Sequence, residues 1–437
     1  MTLKQIFNTS AELDFPTVLP TLDLDFANTK ALDPRITFTR SSGGSYVGAD
    51  GLIKYAGVNE ARFDHNPVTG ESLGLLIEES RQNLLLQSNG FDTASWGKNS
   101  VTLVPNSITS PDGTTNAYKP VENTTNNLHR TSQIVSKSAV ATTYTFSVFA
   151  KAGERNGLEF GMSDAGGYVD CFPNASTGTF SAVPAINGSW VLGSYGSIAY
   201  SNGWYRYYVT ATTSAQSSVI AFIGTTRSVG VLNNYQGDGT SGIYIWGAQL
   251  EQASVPTSYI PTTTSTVTRS ADNASMTGTN FSSWYRQDEG TVSIGCITRR
   301  PALLANSADF AITNSFTTTY TSRIVGWFNI NSSPFISVFA NNINIFLPYI
   351  GTPGNSTNIP IKKAIALATR NMRVATNGTI ITGNLGNTTV PNYLPNDFNR
   401  LSIGYEGIFA GYLNGTISRL TYYPKALPQS QLQALTS

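Results

Sequence analysis

Short runs in which apolar and polar residues alternate recur along most of this chain, and they limit what it can fold into. In "TYTFSVFAKAG" the side chains of Tyr144, Phe146 and Val148 fall on one face of an extended strand. Comparable runs return roughly every 10 to 15 residues, separated by turn signals such as "SNGW" at 201–204. No helical period lies between them, so the pattern predicts antiparallel β-sandwiches.

The composition agrees with this fold class and excludes several partners. Charged residues make up 12% of the chain, where roughly 25% is usual for a soluble protein. The net charge is +1 and no Lys or Arg cluster is present, so we expect no nucleic-acid partner. No run of about 18 apolar residues occurs, which predicts no membrane insertion. The low charge favours a tight oligomer or a place in a large assembly.

We predict an all-β chain of four segments, with two antiparallel β-sandwiches behind an extended N-terminal arm. Residues 1–88 mix prolines with short alternating runs and form the arm, which serves attachment or oligomerisation. Residues 89–262 form the first sandwich. Residues 263–284 begin within the Thr-rich string "YIPTTTSTVTRSADNASMTG", which lacks a helical period, and form a linker. Residues 285–437 form the second sandwich, which ends in a short helix in "KALPQSQLQALTS".

The arm contains one compact apolar patch. Alone it offers too little apolar surface for a core, so we expect these side chains to be covered by other subunits or by a particle. They are Leu75, Leu76, Ile77, Leu84, Leu85 and Leu86.

Several strings in the chain resemble a known group of proteins. The strings are "GLLIEESRQNLLLQSNGFDTASWGKNSVTL", "TYTFSVFAKAG", "NGWYRYYVTAT" and "GIYIWGAQLEQASVPTSYIPTTTSTVTRSAD". Together they resemble a module recurrent in tailed-bacteriophage virion proteins, namely tail or head fibres, spikes and minor structural proteins. The resemblance covers about residues 20–437. Its middle part is similar to the jelly roll of carbohydrate-binding modules, and its last part, with "YLNGTISRLTYYPKALPQSQLQAL", is similar to concanavalin A-like and laminin-G-like lectins.

This resemblance implies a place in the virion and a set of partners. The protein would be a trimer that attaches to other virion proteins through its N-terminal arm. Its sandwiches would face outward and bind a host-surface polysaccharide. Two alternatives stay open: a structural decoration or collar protein with no glycan site, and a polysaccharide depolymerase tailspike. Position on the tail, collar or capsid also stays open.

A glycan site needs an exposed aromatic ring for the C–H face of a sugar, beside side chains that bond its hydroxyl groups. Several aromatic residues in the first sandwich, with one arginine, supply this mix. The candidates are Trp190, Tyr195, Trp204, Tyr207 and Arg130. The same rings also suit a packed core, because aromatic residues dominate cores. Trp246 has apolar neighbours on both faces of its strand and is predicted to be buried.

Catalysis has weaker support from the sequence. Glycoside hydrolysis requires two carboxylates about 5 to 10 Å apart. Glu154, Glu159, Asp164 and Asp170 are close in sequence and no pair among them stands out, yet most Asp and Glu residues of the chain fall in turns. No "GxSxG" elbow or phosphate loop is present. We therefore predict a protein that is not an enzyme.

Metal and cofactor sites are not predicted either. The two histidines and the two cysteines, Cys171 and Cys296, lack the spacing of a metal site, and the thiols are predicted to be buried. A calcium ion near Asp112 or Asp238 stays open, although no Asp-rich loop spacing supports it.

Overall fold

The structure is a computed structural model, and strands dominate the residues that it describes. These are residues 16–230, 234–299, 307–314, 322–328, 334–340, 343–346, 358–368, 371–381, 396–406 and 411–437. The prediction of an all-β chain built from antiparallel sheets is confirmed. The described helices are α1 (Phe26–Thr29), α2 (Thr279–Ser282), α3 (Gln429–Thr436) and a 3-10 turn at Ser201–Gly203. None of them is long and apolar enough to cross a membrane.

The described strands of the first half of the chain are β1 (Leu22–Leu24), β2 (Thr37–Thr39), β3 (Gly44–Val47), β4 (Ile53–Ala56), β5 (Phe63–His65), β6 (Ser72–Ile77), β7 (Arg81–Asn83), β8 (Gly97–Asn99), β9 (Val101–Val104), β10 (Lys119–Glu122), β11 (Asn126–Asn127), β12 (His129–Ser136), β13 (Thr143–Lys151), β14 (Gly157–Asp164), β15 (Gly167–Cys171), β16 (Ala185–Gly188), β17 (Val191–Ala199), β18 (Tyr205–Thr212), β19 (Ser218–Thr226), β20 (Tyr235–Gln236) and β21 (Tyr244–Glu251).

Those of the second half are β22 (Val267–Arg269), β23 (Asn273–Thr277), β24 (Glu289–Thr298), β25 (Ser307–Thr313), β26 (Arg323–Phe328), β27 (Pro334–Ala340), β28 (Ile343–Phe346), β29 (Ile361–Ala368), β30 (Asn371–Thr376), β31 (Thr379–Ile380), β32 (Arg400–Ile403) and β33 (Gly415–Tyr423).

The chain divides into two compact units that interleave along the sequence. The central unit contains residues 40–72 and 80–271, and the terminal unit contains residues 1–39, 73–79 and 272–437. These bounds differ from those expected from the sequence. The described part of the expected arm supplies strands to both units, and the expected linker 263–284 is divided between them. The reason is that strands pair with partners distant in the chain, which a local pattern does not reveal.

Two antiparallel sheets build the terminal unit. One runs in the order β31-β30-β29-β24-β33-β6, with β1 also paired to β33, and the other runs β2-β23-β32-β25-β26-β27-β28. In the first sheet, Leu75 pairs with Ile417 and Ile77 pairs with Gly415. The side chains of Leu75, Leu76 and Ile77 are fully buried. Half of the apolar patch expected to contact another subunit is therefore covered by its own chain.

The other half of that patch belongs to the central unit. Leu85 is fully buried in the core, and Leu84 packs against that core while half-buried. Leu86 is half-buried as well. Its N–H donates to Gln133 Oε1 at 2.7 Å, and Gln133 Nε2 donates to its carbonyl at 2.9 Å. Here too the segment finds its partners within the chain.

A sandwich of two antiparallel sheets forms the central unit. The larger sheet runs β16-β15-β14-β19-β12-β8, and the smaller runs β17-β18-β13-β21. Alternate side chains from both sheets point inward, among them Phe146, Phe160 and Tyr207. These rings lie in one apolar core.

A second apolar cluster covers the outer face of the smaller sheet. It contains Phe149, Trp204, Trp246 and Tyr259, with the Trp246 ring centroid 4.6 Å from that of Tyr259. Both faces of β21 are thus buried, as the pattern predicts. Strict alternation does not hold along this strand, because a bulge at Gly247, with φ of 61°, shifts it after Trp246. Trp246 faces the second cluster. Ile245 before the bulge and Ala248 after it face the core.

One buried side chain ties the segment around β7 to β21 and to the segment that follows β21. Asn83, in "SRQNLLL", donates from Nδ2 to the carbonyl groups of Ala248 at 3.1 Å and Ile260 at 2.9 Å. Its Oδ1 accepts from the N–H groups of Leu85 and Leu250. A planar amide presents both donors and acceptors, which suits this position. Asn83 is therefore a structural lock between separate segments of the central unit.

Candidate functional site

The two outer faces of the central sandwich differ in what covers them. On the smaller sheet, buried polar side chains bond the segment that follows β21. Arg206 donates to the carbonyl of Thr257 at 2.7 Å, and Glu251 accepts from the N–H of Thr257 at 2.9 Å. The outer face of the larger sheet instead carries exposed side chains. We therefore take the larger sheet's outer face as the candidate site.

A row of side chains crosses this face from β15 to β12. The strand register places Tyr168 beside Ser163, Ser163 beside Ile220, and Ile220 beside Ile134. Tyr168 is 38% exposed and Ile134 is 68% exposed. Three interstrand steps of about 4.8 Å separate them, so the row spans about 14 Å. It offers an aromatic and an aliphatic contact with hydroxyl-bearing residues nearby.

Arg130 lies on the same face, further along β12. Its Nη1 is 3.1 Å from Glu159 Oε1, and its guanidinium lies over the Phe222 ring at 5.0 Å. The register sets Gly224 between Arg130 and Glu159. A Cβ atom at Gly224 would come within 2.7 Å of both side chains, so the missing side chain makes room for the ion pair. The Arg130 side chain stays 32% exposed, and so its outer N–H groups can reach a ligand.

Two buried carboxyl groups lie beneath this arginine. Glu159 is fully buried and Asp170 is 3% exposed. Glu159 Oε2 and Asp170 Oδ1 have no hydrogen-bond partner among the described residues. Burial raises the pKa of Glu159, and the Arg130 charge opposes this rise. Burial also raises the pKa of Asp170, and the negative charge of Glu159 raises it further. The pair therefore favours holding a proton, because two adjacent buried carboxylates do not readily both ionise.

The aromatic residues predicted for the glycan site lie elsewhere. Trp204 and Tyr207 are buried, at 1% and 0% exposure, and Trp190 is 5% exposed. Their polar tips are satisfied within the chain. Trp204 Nε1 donates to the Thr109 carbonyl at 3.0 Å, Trp190 Nε1 to Asp164 Oδ1 at 2.9 Å, and the Tyr207 hydroxyl to the Asn174 carbonyl at 3.0 Å.

Tyr195 is half-buried against the same core, with its ring 5.1 Å from Phe180. The two tryptophans and Tyr207 are thus core residues with bonded polar groups, and Tyr195 packs at the edge of the core. Of the five residues named from the sequence, Arg130 is the one that lies on the candidate face.

The aromatic and the aliphatic contact of the face, Tyr168 and Ile134, were not identified from the sequence. The strand "HRTSQIVS" places Arg130, Ser132 and Ile134 on one side by simple alternation. That pattern could have revealed Ile134. Tyr168 lies in "GYVDC", a short strand without a strong pattern, and its place in the row depends on pairing with β14.

The described residues contain no group of three or more His, Cys, Asp or Glu side chains placed to hold a metal ion. Both cysteines are free and buried, as predicted.

Comparisons with known proteins return low similarity. No family model matches the chain, and no curated protein matches it. Among solved structures, the CBM40 module of the Ruminococcus gnavus IT-sialidase, bound to α2,3-sialyllactose, is 12% identical. That match covers 36% of this chain and 88% of the module, with a TM-score of 0.30.

Two further structures match at the same level. Domain 4 of AbnA, a GH43 extracellular arabinanase of Geobacillus stearothermophilus in complex with arabinotriose, is 13% identical over 38% of this chain and 73% of that domain, with a TM-score of 0.29. The NanB sialidase of Streptococcus pneumoniae is 13% identical over 37% of this chain and 26% of its own length, with a TM-score of 0.30. A likeness at this level identifies neither a ligand nor an activity.

Proposed function

We propose that the chain is a glycan-binding protein and that the outer face of the larger central sheet is its binding surface. The observation that carries this proposal is Arg130, which is partly exposed on that face and held in place from below. Glu159 pairs with it and Phe222 supports its guanidinium plane. A guanidinium fixed in this way presents its remaining N–H groups in a set direction, and less ordering is needed when a ligand binds.

The rest of the face suits a sugar chain. Tyr168 offers an aromatic surface for the C–H side of a sugar ring, and Ile134 offers a second apolar contact across the row. Ser132 and Ser163 lie between them and are half-buried, with hydroxyl groups that can bond a sugar. A shallow face of this type gives weak binding per site, and several copies in an oligomer would add avidity.

Binding is favoured over hydrolysis at this site. A glycosidase presents two carboxyl groups to the scissile bond. Here Glu159 is held by Arg130, and both carboxyl groups are buried. We therefore assign Glu159 the role of positioning Arg130.

The proposal extends to a bacteriophage particle as the place of action. It is supported by the shared strings of the central unit and by the low charge of the chain. We propose a trimeric virion component whose partners are other virion proteins and a host-surface polysaccharide. Mass spectrometry of purified particles and the mass of the isolated protein in solution test these two points. A protein absent from particles would contradict the first, and a monomer would contradict the second.

A glycan array tests the binding proposal. The full chain should bind a subset of host-surface glycans, and Arg130→Gln should lower affinity at least about tenfold, which equals about 1.4 kcal/mol. Arg155→Gln is the matched control, because Arg155 also pairs with a buried carboxylate, Glu122, but lies in the turn after β13. Equal loss in both variants would point to a general effect on stability and would contradict the assignment of this face.

A further inference from the structure

The interior of the terminal unit contains a buried pair of opposite charges from facing sheets. Asp309 is on β25 and Lys363 is on β29, and the Lys363 Nζ contacts Asp309 Oδ2. The two side chains are 0% and 1% exposed. Such a pair is costly to bury, because the loss of hydration is only partly offset by the attraction between the charges.

Local backbone structure turns Asp309 toward the lysine. The register between β25 and β26 shifts between Ala308 and Phe310, so Asp309 is the extra residue of a β-bulge. Gly326 on β26 provides space, since a Cβ atom there would lie 2.1 Å from Asp309 Oδ1. That oxygen is buried and has no hydrogen-bond partner among the described residues. The carboxyl group is thus fixed in a dry position with one oxygen unused.

Lys363 and the second oxygen of the Asp309 carboxyl group, Oδ2, also have defined contacts. Lys363 Nζ donates to the Trp327 carbonyl at 3.2 Å and lies 4.3 Å from the centroid of the Phe328 ring. The thiol of Cys296 donates to Asp309 Oδ2, with the sulfur 3.6 Å from that oxygen. Burial raises the pKa of the Cys296 thiol, so its proton stays on sulfur. The amine, the carboxyl carbon and a proton donor therefore meet in one buried place.

We propose that Lys363 and Asp309 condense to an intramolecular amide bond that links the two sheets of the terminal unit. Fixed proximity raises the effective concentration of two reacting groups by many orders of magnitude, which favours bond formation over the free pair. The product also removes two buried charges, and the water molecule that leaves is released to solvent. Both effects favour the amide.

The reaction balances without any further reagent. A proton moves from the Lys363 ammonium to Asp309 Oδ2, which leaves a neutral amine beside a neutral carboxylic acid. The lone pair of Nζ then attacks Cγ, and the N–Cγ bond forms while the Cγ–Oδ2 bond breaks. Oδ2 departs as water with its own proton and the second proton of the attacking nitrogen. Cys296 keeps its proton and remains hydrogen-bonded to Oδ2 as that oxygen leaves, so the thiol is unchanged at the end.

Intact mass spectrometry of the full chain under denaturing conditions tests the proposal. The measured mass should be lower than the sequence mass by one water molecule. Trypsin does not cut at an amide-linked lysine, so digestion should give residues 300–323 joined to residues 363–370. An unmodified mass together with a free 364–370 peptide would overturn the proposal.

Variants separate this bond from loss of water elsewhere. Lys363→Met has a side chain of similar length without an amine, and the measured mass of this variant should equal its sequence mass. A mass deficit that persists in Lys363→Met would overturn the proposal, because the missing water would then come from another position. Cys296→Ala should slow the appearance of the linked form in freshly made protein, whereas Cys171→Ala, the other buried thiol, should not. If the linked form appears at equal rates in the two variants, Cys296 takes no part in the reaction.

Discussion

At the scale of single residues, the candidate face depends on a few side chains, and residue type alone did not predict which ones lie there. Arg130 was predicted as a ligand contact and does lie on the face, although its partner Glu159 was seen from the sequence only as one of several acidic residues. The predicted tryptophans are core residues. Sequence composition signals that aromatic rings are abundant, but exposure depends on which sheet face they occupy. That is a property of the register and not of the residue.

The carboxyl pair gives a prediction for stability against pH. Both folded pKa values are raised, so above the unfolded pKa of about 4 the folded state binds more protons than the unfolded state. The free energy of unfolding should therefore fall as pH rises from about 4 through the raised pKa values of the folded state. Asp170→Asn should weaken this decline and raise the melting temperature near pH 8.

Thermal unfolding of wild type and Asp170→Asn at pH 5 and pH 8 checks this prediction. If the variant melts lower than wild type at pH 8 and shows the same pH dependence, the buried pair does not hold the extra proton.

Asn83 gives a second prediction at this scale. Its amide bonds two carbonyl and two N–H groups of the central unit, all inside the structure. Asn83→Leu leaves these groups without partners, at about 1–3 kcal/mol for each buried group. We expect the free energy of unfolding to drop by about 3 kcal/mol or more. Urea denaturation measures the change, and Gln82→Ala on the exposed neighbour should have little effect. A loss as small as that of the neighbour would contradict the lock.

At the scale of elements, the strand types were largely predictable and their partners were not. Alternation in "TYTFSVFAKAG" gives β13, and the two-sided apolar pattern of "GIYIWGAQLE" gives a strand buried on both faces. The bulge at Gly247 breaks the simple alternation, and apart from the glycine nothing in the local sequence predicts it. The apolar patch of residues 75–77 was expected to bind another molecule, since the arm alone offers too little apolar surface for a core. Its actual partner, β33, is more than 300 residues away in the sequence, so no local pattern reveals it.

This pairing predicts how truncation acts. A fragment of residues 89–437 lacks β1 and β6, which line β33 in the terminal unit, and it lacks β7 of the central unit. We expect this fragment to be poorly soluble and to show no cooperative unfolding transition. Circular dichroism during heating gives the measurement. A soluble fragment with a sharp transition close to that of the full chain would show that the first 88 residues are a dispensable arm.

At the scale of the whole molecule, the fold class followed from the sequence, whereas the division into units did not. Low charge, frequent turn residues and strand periodicity all point to antiparallel sheets, and the structure agrees. The chain passes from one unit to the other at residues 39–40, 72–73, 79–80 and 271–272. Three of these boundaries fall inside the expected arm of residues 1–88, and the fourth falls inside the expected linker 263–284, so none coincides with a boundary predicted from the sequence. The open face emerges only when the sheets are assembled, because its rows come from strands far apart in the sequence.

The central claim is that the larger central sheet binds a saccharide on its outer face, and calorimetric titration of Tyr168→Ala tests it most directly. Tyr55→Ala is the control, because Tyr55 is also exposed, at 50%, but lies on β4 outside this sheet. With a saccharide that binds the wild type, we predict that Tyr168→Ala weakens binding at least about tenfold, while Tyr55→Ala binds like wild type. Unchanged affinity in Tyr168→Ala, with the protein folded, would contradict the account.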